Sequence, residues 1–118
     1  MSIYQEIILD HYKHPKNFGE IDKPSKSSRA INTVCGDKIF LTAEIKDNKL
    51  INIKFSGTGC AIAVASASLL TENIKGMTVA DLRKLDQSFI LKLLHIELTP
   101  NRLKCALLPL EALHKLTT

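Results

Sequence analysis

The chain has no tryptophan and only 5% aromatic residues, so its core must rest on Ile, Leu, Val and Ala. Long apolar runs are also missing. The longest, residues 60–65, falls far short of the roughly 20 residues needed to cross a bilayer. Met1-Ser2-Ile3-Tyr4-Gln5-Glu6 offers neither a basic start nor an apolar h-region, so no signal peptide is expected. Cysteine is scarce and odd in number: three residues, with no Cys-x-x-Cys pair and no implied disulfide framework. A reduced, cytoplasmic protein is the simplest expectation. The formal net charge of +4 comes without an aromatic-rich basic patch, so it points to acidic partner surfaces and not to nucleic acid. There is no internal repeat and no low-complexity tract.

What is present suits one compact domain over residues 1–118: 45% hydrophobic content beside 24% charge. Ser2 stands three residues before Gln5, a capping-box spacing, and Ile3, Tyr4, Ile7, Ile8, His11 and Tyr12 follow at helical period. Pro15 ends that helix by excluding helical angles at His14. His11 and His14 stand at a spacing that could hold a metal, but read more simply as one interfacial and one solvent-facing histidine. Residues 16–28 read as a polar surface loop. Residues 29–34 suggest a first strand. Ile39, Leu41, Ala43 and Ile45 alternate with Lys38, Phe40, Thr42 and Glu44, as Ile51, Ile53 and Phe55 do with Asn52 and Lys54, and Asp47-Asn48 between them predicts a β-hairpin. The expected fold class is α+β: a three-stranded antiparallel sheet with helices packed on one face.

Helix signals fill the second half. One helix starts after Cys60 and stops near Lys75-Gly76. Thr78 caps a short one and Asp86 caps another reaching His95, with Phe89, Ile90, Leu93 and Leu94 as its core face. Thr99-Pro100 opens the last, whose stripe is Leu103, Ala106, Leu107, Leu110, Leu113 and Leu116. Pro109 deprives the Cys105 carbonyl of its partner, so a kink is expected there.

The three cysteines lie in Asn32-Thr33-Val34-Cys35-Gly36-Asp37, Ser56-Gly57-Thr58-Gly59-Cys60-Ala61 and Arg102-Leu103-Lys104-Cys105-Ala106. Gly57-Thr58-Gly59 does not continue as a dinucleotide fingerprint, because Ile62 stands where the third glycine is required. Its glycines instead permit close backbone approach just before Cys60, at a helix amino terminus that favours thiolate. Asp37 follows Cys35 closely enough to share a ligand set. Arg102 and Lys104 flank Cys105, and their charge is expected to favour its thiolate. If the pieces converge, three thiolates and a carboxylate suit tetrahedral zinc or iron–sulfur ligation with one hard donor. The spacings match no zinc knuckle, and buried free cysteines are common, so the residues alone leave a shared site and incidental cysteines both open.

Tyr4-Gln5-Glu6-Ile7-Ile8-Leu9-Asp10-His11-Tyr12 and Pro15-Lys16-Asn17-Phe18-Gly19 resemble the opening of the NifU-amino-terminal/IscU/SufU family. Cys35-Gly36-Asp37, Gly57-Thr58-Gly59-Cys60-Ala61-Ile62 and Lys104-Cys105-Ala106 resemble its three ligand segments, in order, across essentially the whole chain. The resemblance implies an α+β sandwich and a metal or cluster site of Cys35, Asp37, Cys60 and Cys105. It implies a scaffold that takes sulfur from a pyridoxal-phosphate cysteine desulfurase, assembles a [2Fe–2S] cluster from iron and sulfur, and donates it to apo-proteins. The alternative is a zinc-dependent sulfurtransferase that relays persulfide sulfur to a separate scaffold. Cys35 and Cys105 are the candidate persulfide acceptors; Arg102 and Lys104 are candidates for partner docking or ligand exchange. Lys104 stands where IscU members carry histidine, and Leu98-Thr99-Pro100-Asn101-Arg102 replaces their chaperone-binding stretch. Arg102-Leu103-Lys104-Cys105 looks like SufU, but the extra residues SufU members carry between the second and third cysteines are absent. A monomer or weak dimer is expected.

Overall fold

A computed structural model of the chain describes residues 2–118. Helix α1 (Ile3–Lys13) begins at the expected capping box, with Ser2 and Gln5 bonded reciprocally. Three antiparallel strands follow, β1 (Lys26–Ile31), β2 (Lys38–Lys46) and β3 (Lys49–Thr58), paired in chain order. Then come α2 (Ala61–Ile74), α3 (Val79–Lys84), α4 (Gln87–Leu94) and α5 (Pro100–Leu116). The α+β class and the three-stranded antiparallel sheet hold.

The sheet turns one apolar face inward: Ile39, Leu41 and Ala43 from β2 with Leu50, Ile53 and Phe55 from β3 are all buried. Helix α5 packs on β1 and β2, and α2 packs on β3, α1, α4 and α5. Enclosure on so many sides explains why α2 is rich in small apolar residues and buries ten of its fourteen.

Three local expectations need correction. The first strand covers residues 26–31 instead of 29–34, because its Ser-rich start joins the β2 ladder, Lys26 opposite Ala43 and Ser28 opposite Leu41. Cross-strand pairing overrides weak intrinsic preference there. Ile51 does not face the core; it is half-exposed while Leu50 is buried. A register shift at Glu44/Ile45 places an extra β3 residue opposite β2 and flips the faces beyond it. In α5, Leu108 and Ala112 are buried while Leu103 and Leu107 are only partly so, which rotates the stripe. That helix runs unbroken through Pro109.

Residues 16–28 are pinned more firmly than a surface loop requires. Gly19 donates to the Phe55 carbonyl, Phe55 donates to that of Asn17, and the Ile21 amide donates to Thr42. The two bonds with Phe55 close the outer edge of β3, and the third anchors the segment to β2. His11 is buried and its Nδ1 lies 2.7 Å from Ser68 Oγ, while His14 is exposed, as the bland reading of the two histidines has it.

Candidate metal centre

Each cysteine-bearing piece is delivered by a different joint in the fold. Cys35 sits in the turn between β1 and β2. Asn32 closes that turn: its amide donates to the Asp37 carbonyl, its own carbonyl accepts from Gly36, and its side-chain oxygen accepts from Val34. Gly36 takes φ +78°, which a side chain would resist. Cys60 is the N-cap of α2 and makes no side-chain capping bond. Gly57 before it is obligatory, since a Cβ there would lie 2.1 Å from the Lys38 carbonyl oxygen at φ +121°. Cys105 lies in the second turn of α5, held by the Thr99 cap and Pro100.

The fold brings these pieces together at one end. Cys35, Asp37 and Cys105 offer donor atoms that all lie within 4.8 Å of one another. Cys60 stands outside that tight trio, but it lines the same cleft as Cys105. The cleft encloses about 300 Å³ and is completed by Asn32, Val34, Asn101, Arg102 and Lys104. Both cations are exposed at its rim, as is Cys35, whereas Cys105 is 7% exposed and Asp37 8%. Asn32, Val34 and Asn101 were not singled out from sequence; only the Asn32 turn chemistry beside Cys35 could have pointed to one of them.

Asp37 is the informative residue. Its Oδ2 is the one buried side-chain polar atom, among the described residues, without a hydrogen-bond partner. A buried carboxylate oxygen left in that state is costly unless something positive completes it. Three sulfurs and this oxygen are the donor chemistry of a thiophilic metal. Gly59 keeps room for the carboxylate, since a Cβ there would touch Asp37 Cγ at 3.5 Å and Ala63 Cβ at 3.1 Å.

The expected acidification of Cys105 is overturned. Its pKa is pushed from 9.0 up to about 12, first by burial and then by the Cys60 thiol and the Asp37 carboxylate. Arg102 and Lys104 are neighbours in sequence, but their ends reach solvent, where charge is screened. The neighbours in space are a thiol and a carboxylate. A metal ion bound to such a thiol would displace its proton to solvent, offsetting the cost of forming the thiolate there.

The model of the NifU-like N-terminal domain matches residues 3–117. An iron–sulfur cluster assembly scaffold protein IscU from Rickettsia prowazekii is 37% identical over 117 residues, covering 93% of this chain and 86% of its own. The zinc-dependent sulfurtransferase SufU of Bacillus subtilis is 33% identical over 131 residues, covering 97% and 88%. The crystal structure of a SufU from Fervidobacterium islandicum, titled as a scaffold for the SUF system, superposes with a TM-score of 0.84 at 28% identity, covering 96% of this chain and 95% of that one.

Proposed function

The chain belongs to the NifU-like N-terminal domain family, and from that premise we propose that it is an iron–sulfur cluster assembly scaffold. Iron and sulfur are its cargo. Cys35, Asp37, Cys60 and Cys105 are the four donors that hold a [2Fe–2S] cluster until an apo-protein takes it. The observation that carries this reading is the unpartnered Asp37 oxygen inside a cleft with all three cysteines of the chain. One hard oxygen among soft sulfurs also weakens the grip, which suits a protein that must release what it binds.

Sulfur enters by thiol exchange from a pyridoxal-phosphate cysteine desulfurase carrying a persulfide. A cysteine thiolate of this chain attacks the outer sulfur; the partner's S–S bond breaks, its cysteine leaves as thiolate, and the outer sulfur remains here as a persulfide. Exposure favours Cys35 for this step, because a partner can reach the β1–β2 turn without opening the core. Arg102 and Lys104 stand at the rim, able to meet an acidic partner segment. A reducing, cytoplasmic setting keeps the thiols free. No helix among the described residues is long and apolar enough to cross a membrane.

A second reading has a specific observation in its favour. Lys104 is an ammonium and cannot donate to a metal, and the sulfurtransferase relative is 33% identical over nearly the whole chain. In that reading zinc holds the thiolates at rest, and persulfide sulfur is passed to a separate scaffold. Anaerobic reconstitution with iron, cysteine and a desulfurase separates the two. A visible cluster that moves to apo-ferredoxin supports the scaffold. Retained zinc, faster desulfurase turnover and no cluster support the sulfurtransferase. Neither response refutes both.

A further inference from the structure

We propose that Ser66 is a positioning residue for the metal centre: its hydroxyl fixes α5 against α2 and so sets where Cys105 stands relative to Cys60. The inference rests on the reading that the cleft binds metal. Ser66 is 1% exposed, and its Oγ donates to the Ala106 carbonyl at 2.6 Å. A serine or threonine inside a helix ordinarily bonds back to its own preceding turn. Thr71 of the same helix does so, donating to the Ala67 carbonyl at 2.8 Å. Ser66 instead reaches a different helix, at the residue directly after Cys105.

Pro109 lacks an N–H and so leaves the Cys105 carbonyl without its ladder partner. The Ala106 carbonyl, whose own ladder position is served by Leu110, takes the Ser66 hydroxyl as a second donor. Six residues separate Ser66 from Cys60, about 9 Å along α2. The hydroxyl–carbonyl bond ties α5 to α2 one residue from Cys105, whereas the bond from Ser28 Oγ to the Ala112 carbonyl ties α5 to β1 farther along the helix.

Ser68 supplies the internal comparison. It too is buried on α2, but it pairs with His11 and with the Lys16 amide, both on the α1 side. Its loss removes buried hydrogen bonds without touching α5.

The test uses the full metal-free chain with zinc alone and cobalt(II) alone as probes. Ser66→Ala is expected to weaken zinc binding about tenfold or more in chelator competition, the usual size of an outer-shell effect. It should also shift the visible cobalt ligand-field bands, while Ser66→Thr, which keeps the donor, restores both. Ser68→Ala is expected to lower the Tm and leave zinc affinity and cobalt spectrum unmoved. Unchanged zinc affinity and cobalt bands in Ser66→Ala overturn the proposal, as does an equal change in Ser68→Ala. Wild-type protein that binds neither metal overturns the metal-site reading itself, which distinguishes that failure from this one.

Discussion

In metal-free protein Cys105 should be an unusually slow thiol. Its pKa of about 12, against an ordinary 9.0, lowers the thiolate fraction at pH 8 from about one in ten to about one in ten thousand. The more basic thiolate is the better nucleophile, which returns about 20-fold of that loss in disulfide exchange. The balance is a rate about 50-fold below that of a free cysteinyl peptide, before burial slows it further. The assay is timed reaction of metal-free protein with a small disulfide reagent, read by peptide mass mapping at each cysteine. Cys35, exposed in its turn, should be modified long before Cys105. Burial is the largest cause, followed by Cys60 and then Asp37, so Cys60→Ala should speed Cys105 more than Asp37→Asn does. Zinc should protect Cys35, Cys60 and Cys105 alike. Reaction of Cys105 at the rate of the free peptide would refute the reasoning.

Further outcomes can be checked by calorimetry and metal titration. Cys60→Ser puts a good N-cap at a position whose thiol makes no capping bond, so metal-free stability should rise by ~0.5–1 kcal/mol while tight zinc binding is lost; unchanged zinc stoichiometry removes Cys60 from the donor set. Asp37→Ala should raise the metal-free Tm, since an unpartnered buried carboxylate costs ~1–3 kcal/mol, and a reconstituted cluster should persist longer than in wild type; faster loss counts against a labilising role. Gly57→Ala should prevent folding at ordinary temperature, whereas Gly36→Ala, with open space around it, should cost only ~1–2 kcal/mol; equal losses in the two would contradict the packing argument. Because the folded state raises the Cys105 pKa, its stabilising share is full below about pH 9 and is lost as pH climbs toward 12. The stability gap between wild type and Cys105→Ser, both metal-free, should therefore narrow across that range; a constant gap would deny the shift.

Much of this architecture was legible because local chemistry and tertiary packing agree. Ser2 with Gln5, Thr78, Asp86 and Thr99-Pro100 mark four helix starts, and each caps its helix in the structure. The hairpin was readable from alternation and from Asp47-Asn48, both in the left-handed conformation that such a turn needs. What escaped depends on partners distant in the chain. The bulge at Ile51 is a property of two strands together, and the start of β1 is decided by β2. Cys105 misled for a related reason: Arg102 and Lys104 adjoin it in sequence, whereas Cys60 and Asp37 adjoin it in space. The convergence of the three cysteine segments could be surmised from a family likeness, but the cleft that joins them is made only when α5 crosses α2. The stack of Tyr4 on His95, ring centroids 4.6 Å apart, left no trace in either local pattern.

Cys35, Cys60 and Cys105 lie 25 and 45 residues apart, and no two of them share a helix or strand. An ion or cluster gripping all three would act as a cross-link, closing two long loops of the unfolded chain at roughly 3–4 kcal/mol each. Loaded protein is then stapled and empty protein is not. A recipient that lifts one donor away both frees the cargo and undoes the staple, so the chain left behind is softer than the one that arrived. On the proposed function, a full carrier would differ from a spent one in stiffness as well as in content.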